Sequence, residues 1–207
     1  LTVPFYPEGK AEIEEPSLQP MVVDQIFYYM EMFPGMPARL EMIDRVLIHN
    51  FDTVISGCID CTHKREYKVL FHDPEFAQKN AQLLWDYAAS QKQLEKLREV
   101  SFLAEKENLE SAYQEEYGMI FRWIPFKFYR DLAALENVVI STAQALSSNG
   151  LLFLVGPPQV LELFTRHSLD CIYNDSVENM PFLFQHRKMY PETQVNPDAT
   201  VFFAEKK

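Results

Sequence analysis

Residues 151–155, Leu-Leu-Phe-Leu-Val, form a short and fully apolar run that directly follows Asn149 and Gly150. A run of this length that is bounded by turn residues is typical of a strand buried on both faces. Strands of that kind belong to parallel sheets that helices cover on both sides. This segment therefore predicts the central strand of a parallel sheet, the kind of sheet found in α/β folds.

Shorter β-type runs alternate with helical patterns from Met42 to the end of the chain. The further predicted strands are residues 46–49, 68–71, 99–103, 118–121 and 199–204. The predicted helices are residues 75–90, which begin at Asp73-Pro74, residues 131–146, which stop at Asn149-Gly150, and residues 160–166. Because connections between parallel strands are right-handed crossovers, this alternation predicts a three-layer sandwich around a mostly parallel sheet.

The first 38 residues differ from the rest of the chain. Residues 1–20 contain four prolines and are predicted to form an extended arm. Residues 21–33 have helical spacing and end at the helix-breaking sequence Pro34-Gly35-Met36-Pro37. We therefore predict an N-terminal arm with a short capping helix over residues 1–38, and one α/β domain over residues 39–207.

Composition excludes several classes of function. The net charge of −11 argues against binding to nucleic acid or to anionic lipid, since both need an excess of Lys and Arg. No apolar stretch approaches the length of a membrane-spanning helix, about 18 residues, so any membrane association is expected to be peripheral and through a partner. Three cysteines form no disulfide framework and favour a cytoplasmic location.

The order of these elements resembles the class I S-adenosylmethionine-dependent methyltransferases. Residues 146–157 are similar to the helix end and fifth strand of that family, residues 117–121 to its fourth strand, and residues 196–207 to its closing strand. The resemblance covers roughly residues 42–207. It implies a methyltransferase-type, Rossmann-like sheet whose ligands bind at the carboxyl ends of the strands.

The cofactor loop departs from the family pattern. In the family, the first strand ends in an acidic residue that a Gly-x-Gly-x-Gly sequence follows. Here Ile48 stands in place of the acid, and the three glycine positions hold Asn50, Asp52 and Val54. Glycines let the backbone lie against a ligand where a Cβ would collide, and a β-branched valine tolerates such a backbone badly. We therefore predict that the chain binds no cofactor.

If S-adenosylmethionine does bind, the resemblance implies three residues that contact it. Asp73 follows the second strand, where the family places an acid that binds the ribose hydroxyls; it is also well placed as the N-cap of the next helix. His49 or Asp52 would lie near the transferred methyl group. No Asn-Pro-Pro-aromatic sequence follows the fourth strand, and residues 122–126, Arg-Trp-Ile-Pro-Phe, occupy its place.

A second pattern that could carry chemistry is Cys58-x-x-Cys61 with His63 two residues further on. A zinc site needs four ligands, usually as two paired clusters, and no second pair with such spacing is present. A redox dithiol would need the pair at a helix N-terminus after a strand. We therefore predict no metal site, and a metal- or thiol-dependent role for these residues stays as an alternative.

Two segments combine aromatic and basic residues, as interaction surfaces do. They are residues 120–130 and residues 181–190. The candidate partner contacts within them are Trp123, Phe126, Phe128, Tyr129, Phe182, Phe184 and Arg187. These segments predict contact with one or more protein subunits of a larger assembly.

Taken together, the sequence predicts a non-catalytic, methyltransferase-like accessory or scaffold subunit. A membrane-associated energy-converting complex, photosynthetic or respiratory, would be one such assembly. The first alternative is a divergent methyltransferase that acts on a small molecule with S-adenosylmethionine. The second is the metal- or thiol-dependent protein built on Cys58 and Cys61. Whether the chain is an enzyme stays open, and methyl transfer is the activity expected if it is.

Overall fold

The computed structural model describes residues 30–49, 65–71, 78, 81–82, 85–86, 89, 94–95, 100–104, 110–179 and 199–207. Its strands are β1 (Arg45–His49), β2 (Glu66–Phe71), β3 (Val100–Ala104), β4 (Tyr117–Trp123), β5 (Leu146–Gly156), β6 (Leu169–Ser176) and β7 (Thr200–Lys206). Its helices are α1 (Met36–Glu41), α2 (Leu132–Ala145) and α3 (Val160–Arg166), with 3-10 turns at Phe126–Phe128 and Val177–Asn179.

The seven strands form one sheet in the order β3-β2-β1-β4-β5-β7-β6. The first five strands along the chain pair in parallel, whereas β7 lies antiparallel to both β5 and β6. This confirms the predicted mostly parallel α/β sheet. The strand order reverses between β1 and β4, and in an open α/β sheet ligands bind at the carboxyl ends of the strands beside such a reversal.

Helices α2 and α3 cover one face of this sheet and supply much of the core. Asp131 caps α2 by accepting a hydrogen bond from the backbone of Ala134 at 3.0 Å, and caps of this kind are typical of Asp. The main cluster of buried residues joins Leu135 of α2 and Phe164 of α3 to apolar side chains of the central strands and β7. Leu47, Ile120, Leu152 and Phe202 are the strand residues at its centre. Apolar burial on this scale is the dominant stabilising term of the fold.

The structure corrects the helix-ending role predicted for Asn149 and Gly150 after the helix over residues 131–146. Helix α2 ends at Ala145, and residues 147–150 instead form a bulge in β5, because Leu146 pairs with Tyr117 and the next paired residue is Leu151, opposite Met119. Asn149 has a φ of 61°. A Cβ on Gly150 would lie 2.8 Å from the Ser147 carbonyl oxygen. The glycine is therefore required by a tight bulge and not by a helix end.

Two other elements differ from the predictions. Helix α1 begins inside the predicted breaker sequence, because Gly35 takes a φ of 78° at its N-cap and Pro37 lies in its first turn, where a missing backbone N–H costs nothing. Strand β6 was not predicted.

The predicted arm and nearly all of the capping helix lie outside the described residues. The described residues of the predicted helix 75–90 are helical.

An ion cluster joins the first two parallel strands to the segment before β4. The Glu115 carboxylate accepts hydrogen bonds from Arg45 of β1 and from Lys68 of β2. Burial alone would raise the pKa of Glu115, but its hydrogen bonds to Lys68 and Arg45 outweigh burial and hold that pKa below its ordinary value. A carboxyl group with a lowered pKa stabilises the folded chain when it is ionised.

This cluster predicts a pH-dependent loss of stability in Glu115→Gln. We expect the variant to have a free energy of unfolding lower by about 0.5 to 1 kcal/mol at pH 7, the range for partly exposed ion pairs. The difference is fully present above the ordinary carboxyl value of 4.5 and shrinks as the pH falls through the lowered pKa, because wild-type Glu115 then becomes protonated. Urea denaturation at pH 7 and pH 3 measures it. Glu116→Gln is the matched control, and an equal loss in both variants would contradict the prediction.

Candidate functional site

The reversal of strand order places two polar side chains beside each other at the carboxyl edge of the sheet. His49 ends β1, and its register partner on β4 is Arg122. Both are buried, with 3% and 6% of the residue exposed. Buried polar residues at the point where α/β sheets bind ligands are the first place to look for a functional site.

Tyr113 connects these two residues. Its hydroxyl oxygen lies 2.8 Å from His49 Nδ1, and its ring faces the Arg122 guanidinium, whose Cζ is 4.2 Å from the ring centroid. Burial raises the pKa of Tyr113 to about 12, with Arg122 acting in the opposite direction. The hydroxyl therefore keeps its proton at neutral pH. A cation over an aromatic ring at this distance is an attractive contact.

Arg122 is held from the other side by the middle of α2. Its Nη1 donates to the Val138 carbonyl oxygen at 3.0 Å, to Ser141 Oγ at 2.9 Å and to Thr142 Oγ1 at 2.7 Å. Burial lowers the pKa of Arg122, which the Tyr113 side chain partly offsets, yet a guanidinium stays charged in proteins. Among the described residues no carboxylate pairs with it, so neutral oxygens and one aromatic ring stabilise this charge.

Only part of the site predicted from the sequence falls within the described residues. Of the three residues implied for the cofactor, the structure describes His49. The remaining predicted residues, which lie outside the described residues, are Asp52, Cys58, Cys61, His63, Asp73, Phe182, Phe184 and Arg187. In the part of the chain that is described, no three His, Cys, Asp or Glu side chains come together as metal ligands.

The segment after β4 separates its aromatic residues into two environments. Phe128 and Tyr129 pack against the core, and Trp123 is half-buried. Phe126 is 65% exposed, and so is Leu132 at the start of α2. Of the four candidate partner contacts described, Phe126 is thus the most exposed.

A cavity of about 540 Å³ lies at the opposite edge of the sheet. Its lining residues are Arg39, Met42, Ile43, Gly118, Ser147, Ser148, Asn149, Gly150 and Leu151. These residues belong to the amino ends of β4 and β5 and to the segment before β1. The cavity is therefore separate from the carboxyl edge that holds His49 and Arg122.

Solved structures with the same architecture are methyltransferases in most cases. A putative sarcosine dimethylglycine methyltransferase from Galdieria sulphuraria superposes with a TM-score of 0.57 at 10% identity, covering 88% of this chain and 86% of the other. The N-methyltransferase NodS from Bradyrhizobium japonicum superposes with a TM-score of 0.53 at 10% identity, covering 95% and 93%. The chain has the class I methyltransferase-like fold.

Other comparisons limit what this fold says about the reaction. The [4+2]-cyclase SpnF also matches, with a TM-score of 0.53 and 10% identity over 88% of this chain and 80% of that one. No protein-family model and no curated protein matches the sequence. Because one fold can host different chemistries, these matches establish the fold only, and the reaction has to be inferred from the residues of the site.

The comparison corrects the prediction that the chain binds no cofactor. The matching NodS structure holds S-adenosyl-l-homocysteine, the product form of the methyl donor. The prediction relied on the three missing glycines, and two of the replacements, Asn50 and Asp52, are residues that tolerate a left-handed backbone. Missing glycines were therefore too weak a reason to exclude S-adenosylmethionine.

The contacts of Arg122 predict how stability depends on its side chain. We expect Arg122→Ala to lower the free energy of unfolding by about 3 kcal/mol, because it leaves a cavity between the sheet and α2. Arg122→Met should cost about 1 kcal/mol, since it fills that volume and removes a buried charge. The Ser141 and Thr142 hydroxyls still donate to Val138 in both variants. Urea denaturation measures the two losses, and equal losses would mean that the hydrogen bonds of Arg122 outweigh its volume.

Proposed function

We propose that this chain binds S-adenosylmethionine at the carboxyl edge of β1, β2 and β4 and transfers its methyl group to a small molecule in the cytoplasm. One observation carries the proposal: the strand reversal of a methyltransferase-like sheet coincides with a buried polar cluster of His49, Tyr113 and Arg122. Burying polar groups costs stability unless they are hydrogen-bonded, and buried titratable groups with shifted pKa values cluster at functional sites.

The residues of this edge fit the proposed ligand in chemical terms. S-adenosylmethionine supplies an activated methyl group on a sulfonium and carries ribose hydroxyls and a carboxylate. Asp73 follows β2 by two residues and is proposed to accept hydrogen bonds from the ribose hydroxyls. His49 and Asp52, at and just after the end of β1, are proposed to lie beside the reacting group. The positive charge of Arg122 supports binding of the carboxylate through the local potential.

Calorimetric titration with S-adenosylmethionine tests this function. We expect a dissociation constant below about 100 μM, equivalent to about −5.5 kcal/mol, and similar binding of S-adenosyl-l-homocysteine. Asp73→Asn should weaken binding about tenfold by removing the acceptor charge. Asp170→Asn is the control, because Asp170 lies on β6 and pairs with Lys207. Absence of binding up to millimolar ligand would refute the proposal.

A second candidate function rests on the exposed apolar residues of the segment after β4. Phe126 and Leu132 lie six residues apart at the beginning of the crossover and are both 65% exposed. We propose that the two side chains form part of one apolar patch, the feature that marks protein interaction sites. An accessory subunit that meets its partner here is therefore the alternative to a free-standing enzyme.

The mass of the native particle separates the two candidates. An accessory subunit isolated from its source should have a mass by light scattering well above the 24.2 kDa of the chain. Phe126→Ser combined with Leu132→Ser should restore the mass of the single chain, because a polar residue removes the apolar contact. Phe128→Leu is the control, because the Phe128 side chain packs against the core of its own chain. A native mass of one chain would exclude the subunit function.

A further inference from the structure

We propose that Tyr113 is a positioning residue that fixes His49 as the tautomer with its proton on Nε2. His49 then acts at the carboxyl end of β1 as a hydrogen-bond donor toward an acceptor oxygen, and not as a general base. The functional part of this inference rests on the proposed function, since the acceptor would belong to the bound cofactor or substrate. The tautomer itself is a property of the chain alone.

The hydrogen bond between the two residues allows two proton arrangements. Either the Tyr113 hydroxyl donates to a bare Nδ1, or a protonated Nδ1 donates to the hydroxyl oxygen across the same 2.8 Å. Tyr113 is buried, and its hydroxyl bonds to no other described residue. In the second arrangement the hydroxyl proton would have no acceptor there, and a buried donor without an acceptor is costly. The first arrangement satisfies both groups.

Arg122 strengthens the same preference. Its guanidinium lies over the Tyr113 ring at 4.2 Å, and a cation over the ring draws electron density from it. The phenol becomes a better hydrogen-bond donor and a poorer acceptor. The high pKa of Tyr113, about 12 because of burial, keeps the proton available for donation. The lack of another described acceptor and the Arg122 contact thus both favour donation to Nδ1.

The tautomer determines which ligand groups His49 can meet. With Nδ1 occupied by the Tyr113 proton, the remaining nitrogen of the ring carries N–H. An N–H group binds carboxylate, carbonyl or hydroxyl oxygens and repels ligand N–H donors. It cannot remove a proton from a methyl acceptor. His49 therefore orients the ligand. Any proton that the methyl acceptor loses must go to another group or to water.

Nitrogen-15 NMR of the labelled, full-length chain tests the tautomer directly. Correlations between the ring carbons' protons and the ring nitrogens distinguish a protonated nitrogen from a bare one, and His49→Gln assigns the signals by their loss. We expect a bare Nδ1 and a protonated Nε2 at neutral pH. The opposite tautomer would overturn the inference, whether or not S-adenosylmethionine binds.

Two matched variants test the role of Tyr113. Without the Tyr113 hydroxyl, His49 in Tyr113→Phe should populate both neutral tautomers. The variant should also bind S-adenosylmethionine about tenfold more weakly, the effect of one lost hydrogen bond. Tyr117→Phe is the control, because Tyr117 is buried in the same cluster and its hydroxyl bonds to no described residue. It should change neither readout.

The outcomes separate this inference from the proposed function. An unchanged tautomer in folded Tyr113→Phe, judged by circular dichroism, overturns the positioning role. If both tautomers of His49 appear but the affinity for S-adenosylmethionine is unchanged, the proposed contact of His49 with the ligand is overturned. If Tyr113→Phe does not fold, the tautomer of the wild-type chain still decides the inference. If the wild-type chain shows the predicted tautomer but binds no S-adenosylmethionine, the proposed function alone fails.

Discussion

The parallel pairing of β1 with β4 is the constraint on which the rest of the structure depends. It reverses the strand order, aligns His49 with Arg122 and turns both toward the face that α2 covers. A charged guanidinium in this position has to be stabilised by the protein around it. Thr142 and Ser141 of α2, together with the Tyr113 ring, meet that need. The packing of α2 and the geometry of the site therefore have one common origin.

Much of the fold could be predicted from the sequence because the central strands are apolar on both faces. Residues 151–155 show this best, since β5 contains them. The predicted helix over residues 160–166 also matches α3. Strand β6 escaped prediction because an edge strand needs burial on fewer sides, and Leu169–Ser176 reads Leu-Asp-Cys-Ile-Tyr-Asn-Asp-Ser. The helix-ending propensity of glycine also led to the prediction that Gly150 ends a helix, whereas the pairing of β4 with β5 places Gly150 in a bulge.

The site was harder to predict than the fold. His49 could be placed at the end of a strand from its sequence neighbours, but Tyr113 lies in no motif, and 64 residues separate it from His49. Arg122 appeared only in a departure from a family sequence and within the aromatic and basic segment 120–130. No local sequence pattern predicts the contacts of Tyr113 with His49 and Arg122, because they form only when three segments that are distant in the sequence pack together. The weak signal that could have been used is the placement of one basic residue inside an otherwise apolar strand, since burial of a charge demands partners.

The exclusion of the cofactor from missing glycines was wrong for a related reason. It assumed that only glycine could adopt the backbone conformation needed at the three loop positions, although Asn and Asp also adopt left-handed conformations. The carboxyl edge of the sheet also holds polar groups outside that loop, since the chain buries a cation and a tyrosine-bound histidine there. A ligand that brings a carboxylate to this edge would supply the one group that Arg122 does not find among the described residues.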